Sequence, residues 1–131
     1  MSNIDKRALR EAANAANAAS WGDWESYKPH KGARGYEVKV GVKAVAQHCL
    51  KVDSVFIAAA NPATVLALLD ELEAAEKRIA ELSASHGKLR EAMAGIHNTI
   101  TGGCAYTPLA AILNASKSAY EESAAAAGKG E

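Results

Sequence analysis

One pattern constrains this chain more than any other. From Val65 onward, apolar residues recur at a spacing of three and four. With heptad position a at Val65, Leu72, Ile79, His86, Met93 and Ile100, position d falls on Leu68, Ala75, Leu82, Leu89 and Ile96. All of these sites are apolar except His86. A 3.5-residue repeat kept up over five heptads is the signature of a helix that meets another helix along a seam. At 1.5 Å per residue, a helix from 62 to 100 is about 58 Å long. The expectation is therefore a homo-oligomer whose seam holds Val65, Leu68, Leu72, Ile79, Leu82, His86, Leu89, Met93 and Ile96. His86 is the polar a residue that tunes register or oligomer state. Ser83, Ala84, Ser85 and Gly87 surround it in a weak patch, where a bend or local loosening is expected because glycine lowers helix stability.

The start of that helix is marked by Asn61-Pro62, an N-cap residue followed by proline at the first helical position. Thr101-Gly102-Gly103 ends it. Thr107-Pro108 repeats the start signal and opens a last helix to about Ala127, with an apolar stripe of Leu109, Ile112, Leu113, Ser116, Ala119 and Tyr120. The 101–106 connection is short enough to return this helix antiparallel.

Upstream, residues 3–19 place Ile4, Ala8, Leu9, Ala12, Ala15, Ala16 and Ala19 on one stripe, with Asn3 as the expected N-cap. Trp21, Trp24 and Tyr27 fit either a short helical turn or an irregular edge strand, and their rings are expected in the core. Tyr36, Val38, Val40 and Val42 alternate with Glu37, Lys39, Gly41 and Lys43, the clearest strand signal in the chain. Residues 44–50 suit a second strand, and a lone hairpin is marginal in water, so it is expected to pack on the first helix. Residues 53–60 read as a short helix capped by Asp53 or Ser54. The fold class is thus mainly α, within α+β: an N-terminal helix with a small β-hairpin in a domain at 1–60, a coiled-coil helix at 61–100, and a returning C-terminal helix and tail at 101–131.

Composition agrees with a helical, alanine-rich protein: 131 residues, 5% aromatic, with 15 Lys+Arg balancing 15 Asp+Glu. Zero net charge argues against an acidic DNA mimic and a strongly basic nucleic-acid coat. The charge is uneven. Residues 1–52 hold nine basic residues against five acidic, and 53–127 hold five against nine. Charges at Asp5, Lys6, Arg7 and Arg10 break any secretory signal. The longest uncharged run, 92–116, holds His97, Asn98, Gly102, Gly103, Pro108 and Asn114, which disqualifies it as a membrane span. A cytoplasmic protein with two reduced thiols, Cys49 and Cys104, is expected.

No catalytic constellation stands out. There is no nucleophile elbow, Gly102-Gly103 lacks the lysine of a phosphate loop, and His30, His48, His86 and His97 have no metal-ligand spacing. The expectation is a non-enzyme without cofactor or metal. Cys104 reads as an ordinary loop cysteine more than a reactive thiol. Lys28, Lys31, Arg34 and Lys39, near Trp24, Tyr27 and Tyr36, could hold a nucleic-acid strand. The simpler reading of that stretch is a solvated hairpin face.

The run Phe56-Ile57-Ala58-Ala59-Ala60-Asn61-Pro62-Ala63-Thr64-Val65-Leu66-Ala67-Leu68-Leu69-Asp70-Glu71-Leu72-Glu73 resembles the hallmark segment of the Ead-like accessory proteins of lambdoid phages and prophages. Ala8-Leu9-Arg10-Glu11-Ala12-Ala13 followed by Trp24-Glu25 is similar to that family's opening. The resemblance implies a phage early-region accessory protein with a coiled-coil centre, and it implies no activity. From Leu89 onward nothing in the chain matches. The function expected is a protein-binding module acting on a host protein, with a defence system such as a CRISPR or restriction complex as one class of target. A small nucleic-acid-binding accessory protein using the 28–51 stretch is the alternative. The partner surface expected is Tyr106, Leu109, Leu113 and Tyr120, because aromatic anchors ringed by aliphatic side chains dominate protein interfaces.

Overall fold

The computed structural model describes residues 3–102 and 109–128. The chain forms two compact units, Met1–Leu72 and Glu73–Glu131. Thr107-Pro108, Cys104 and Tyr106, read above as a helix start, a loop thiol and a partner contact, lie outside the described residues.

The first unit opens with α1, Lys6–Ala19. Its cap is Asp5, not Asn3: the Asp5 carboxylate accepts the Ala8 backbone N–H at 2.9 Å. A charged acceptor at the positive end of a helix both caps it and complements its dipole. At the other end the carbonyls that lack helical partners are satisfied from the sheet. Lys43 Nζ donates to the Ala19 carbonyl at 3.0 Å, and Trp24 Nε1 donates to the Ser20 carbonyl at 2.9 Å.

Three strands follow: β1 (Trp24–Tyr27), β2 (Tyr36–Val40) and β3 (Lys43–Cys49). They form an antiparallel meander in the order β1-β2-β3, one strand more than the expected hairpin. Trp24 pairs with Val40 and Ser26 with Val38, which settles the 24–27 segment as strand. Val42 does not continue the alternation of β2. Gly41, at φ +57°, turns the chain there, and Val42 sits at the hairpin tip, 99% exposed. The β2–β3 register is irregular between Tyr36 and Lys39. Opposite that irregularity His48 takes a left-handed φ of +60°. A Cβ on Gly35 would come within 3.0 Å of the Cys49 carbonyl oxygen, so only glycine fits where β2 begins.

The sheet is covered by α2, Lys51–Ala59, not by α1 as expected. β3 runs into α2 with only Leu50 between them, so α2 is the nearest helix available to fold over Val38. Val38 is fully buried, and so is Ser54, whose hydroxyl donates to the Lys51 carbonyl and meets the Ser26 hydroxyl at 2.6 Å. That duty explains a second departure. Ser54 and Asp53 do not cap α2, which starts two residues before Asp53 with Leu50 at its N-cap position and no side-chain cap. Asp53 lies instead in the first turn, where its charge suits the helix dipole.

Asn61 joins α2 to α3 (Pro62–Thr101) from both sides. Its Nδ2 donates to the Ala58 carbonyl at 3.1 Å and its Oδ1 accepts the Thr64 N–H at 3.0 Å. The start of α3 lies beside α1, with Leu69 buried and Arg10 bridging to Asp70 at 2.8 Å. In the second unit α3 continues without interruption through Ser83–Gly87. It is joined there by α4, Leu109–Gly128. Arg78 donates to the Ala127 carbonyl at 2.9 Å and Lys88 approaches Glu122 at 3.5 Å, so the two helices run antiparallel.

Candidate interaction surfaces

The heptad sites of α3 meet three different surroundings. In the first unit, Val65, Leu68, Leu69 and Leu72 form one wall of an open groove of about 600 Å³. Ile4 and Leu9 of the α1 segment form the other, with Lys6 at the rim. The lining is apolar, and Ile4, Leu9, Leu68 and Leu72 remain open to solvent. Leu69 is buried at the floor of this groove, while the larger side chains along it stay open to solvent.

In the second unit, α4 covers one side of α3. Leu89 and Ile96 are half-buried against it, beside Ser85, Ala92 and Thr99. Leu82 stays more open. Ile79, His86, Met93 and Ile100 point away from α4 and are exposed. Leu109, Leu113 and Tyr120, expected as partner surface, are exposed as well. The α4 residues that face α3 are Ile112, Ala115 and Ala119.

The basic stretch does not gather into one patch. Lys39 lies over the Tyr27 ring at 4.4 Å and Lys28 over the Tyr36 ring at 5.6 Å. Glu25 stands opposite Lys39 across the β1–β2 ladder, and Glu37 accepts from Gln47 at 3.3 Å. Lys43 is turned to the end of α1. Lys31 and Arg34 are exposed in the β1–β2 connection. Acidic side chains thus interleave with the lysines, which weakens the local field a phosphate backbone would feel.

Of the aromatic rings expected in the core, only Trp24 is half-buried. Tyr27 is exposed beneath Lys39, and Trp21 is 81% exposed just before the Gly22 turn. Phe56 is 71% exposed on the outer side of α2, flanked by Val52 and Val55. Sequence reasoning missed this patch. The signal was available: with Ser54 and Ala58 turned to the sheet, helical spacing puts Val52, Val55 and Phe56 on other sides.

Among the described residues no group of three His, Cys, Asp or Glu side chains is placed to hold a metal ion. His30 Nδ1 accepts the Gly32 N–H at 3.3 Å, and the His48 ring nitrogen lies 3.4 Å from the Arg34 carbonyl. Cys49 is a half-buried free thiol. No single helix among the described residues is long and apolar enough to cross a membrane.

A capped helix, a three-stranded meander and a 40-residue helix begun by Asn-Pro lie between Lys6 and Thr101. The family model described as Ead/Ea22-like protein matches residues 2–129. The chain belongs to the Ead/Ea22-like family. This family is phage-associated, and the match includes the C-terminal third that the sequence resemblance left unmatched. No curated protein and no solved structure matches the chain.

Proposed function

We propose that this Ead/Ea22-like protein is a non-enzymatic phage accessory module that works in the bacterial cytoplasm by binding a host protein. The observation that carries this reading is the open apolar groove between α1 and the start of α3, whose lining side chains Ile4, Leu9, Leu68 and Leu72 have no cover from their own unit. A groove of this kind accepts the apolar face of an amphipathic helix, read through anchors one turn apart. Host defence complexes remain one target class for such a module. The nucleic-acid alternative draws on Lys31 and Arg34 alone as unengaged cations of the four expected, since Lys28 and Lys39 lie over rings.

The experiment compares two variants for partner capture from host lysate. One is Leu9→Asp with Leu68→Glu. The other neutralises Lys28, Lys31, Arg34 and Lys39. Capture lost in the groove variant and kept in the charge variant supports the protein-binding reading. Capture lost only in the charge variant, with a steep salt dependence, overturns it in favour of nucleic acid.

A further inference from the structure

The second unit poses a problem that the groove does not touch. Among its described residues no side chain is fully buried, whereas the first unit buries Ala13, Val38, Ser54 and Leu69. Between α3 and α4 there are gaps of about 370 and 300 Å³. Two helices that bury so little cannot offset the entropy of ordering them.

The uncovered residues form one face. On α3, Ile79, His86, Met93 and Ile100 each follow by one residue the row that α4 covers: Arg78, Ser85, Ala92, Thr99. On α4, Leu113 and Tyr120 each follow by one residue the row that faces α3: Ile112 and Ala119. Both helices are right-handed and they run in opposite directions. A one-residue step therefore turns both rows to the same side of the pair. The pairing of Arg78 with Ala127, and of Ile96 with Ile112 across a gap, fixes the levels. His86 stands level with Tyr120, Met93 with Leu113, and Ile100 with Leu109. The opposite side of the pair carries the Lys88–Glu122 bridge, Glu81 and Ser118 among small alanines (Ala84, Ala125, Ala126) and no large apolar side chain.

We infer that this composite face is the docking surface for a second copy of the same chain, which closes the helix pair into a four-helix bundle. Its occupant is argued from area, charge and backbone. Ile79, Met93, Ile100, Leu109, Leu113 and Tyr120 are 60–73% exposed. Together they leave on the order of 700 Å² open, close to the ~800 Å² that each partner contributes to a standard stable interface. Monomers rarely leave so much large apolar side chain open on one face. The unit is close to neutral, with six acidic and five basic residues over 73–128, so two copies do not repel each other and no strongly charged partner is attracted. Gly87 follows His86 at the edge of the face. A Cβ there would meet nothing within 4 Å of its own chain. That open space leaves room for a second helix to approach closely there.

Sedimentation equilibrium of the full chain tests this. A dimer is expected at about 50 µM chain, within the range of ordinary micromolar association. Met93→Glu with Leu113→Glu should weaken it about 100-fold, and helicity by circular dichroism should fall as the dimer is lost. The groove variant Leu9→Asp with Leu68→Glu should leave the mass unchanged, which separates this inference from the proposed host binding. A second test does not depend on disruption. In a Cys49→Ser, Cys104→Ser background, a short bis-maleimide should link copies through Met93→Cys, and not through Ala84→Cys on the far side of α3. A monomeric wild type, a dimer untouched by the glutamate pair, or equal linking at both cysteines would each overturn it.

Discussion

The two units of this protein are built from different kinds of sequence, and they bury their apolar side chains to different degrees. In Met1–Leu72, short elements with irregular patterning are tied by specific hydrogen bonds: Ser54 to Ser26, Trp24 to Ser20, and Asn61 across the α2–α3 joint. In Glu73–Glu131, two long regular helices share few such ties and bury nothing fully among the described residues. Regular patterning specifies that a helix will have an apolar stripe. It does not supply enough neighbours to cover it. A small sheet with a helix laid on it does, because three strands and α2 converge on Val38.

That contrast can be broken or sharpened by substitution. The largest effect is expected in the first unit. Val38→Asp places a charge at a site with no exposure, and such a burial costs several kcal/mol. The sheet signal by circular dichroism should vanish. A sheet that survives with a midpoint unchanged in urea would show that the first unit is not held by this core. Next comes the second unit's dependence on its own copy. His86 is the one polar residue in the exposed row, so His86→Leu should tighten self-association about tenfold, or ~1.4 kcal/mol. Unchanged sedimentation would show that His86 lies outside the interface.

Smaller effects follow. Asn61→Ala removes the N-cap of α3 and its hold on the end of α2, at a cost of about 1 kcal/mol in urea unfolding of the first unit. Gly87→Ala should raise helix stability by up to about 1 kcal/mol and at the same time loosen the dimer, a divergence of sign that a purely intrachain role would not produce. Asp70→Ala is expected to change stability by less than about 1 kcal/mol, since its bridge to Arg10 is open to water on the Asp70 side.

Legibility followed the range of the interactions. The Asn61-Pro62 start, the long helix and the alternation of β2 as far as Val40 are legible because each depends on residues within one or two turns. The cap of α1 was misplaced by two positions for a local reason: Asp5 and Asn3 are both good caps, and only the path of the chain selects between them. The third strand is ambiguous in the sequence because Trp21, Trp24 and Tyr27 satisfy two periodicities, and the ladder to Val38 and Val40 decides. Of the candidate sites, the stripe on α3 was visible, but its division among a groove, a covered side and an open face was not. Heptad positions record which residues are apolar, and the position of α4 determines which of them are covered.

The amino-acid sequence by itself determined the helices, the Asn61-Pro62 start of α3, the strand pair and the apolar row on α3, since capping, periodicity and alternation act between near neighbours. Only the tertiary structure decided that α2 rather than α1 covers the sheet, that Ser54 is a core hydroxyl and not a cap, and that Ile79, Met93 and Ile100 join Leu109, Leu113 and Tyr120 on one side of a helix pair. Those outcomes depend on which surfaces meet across long stretches of chain. Many pairings would bury similar apolar area, and the choice falls to close packing and to hydrogen bonds that have partners in one arrangement alone.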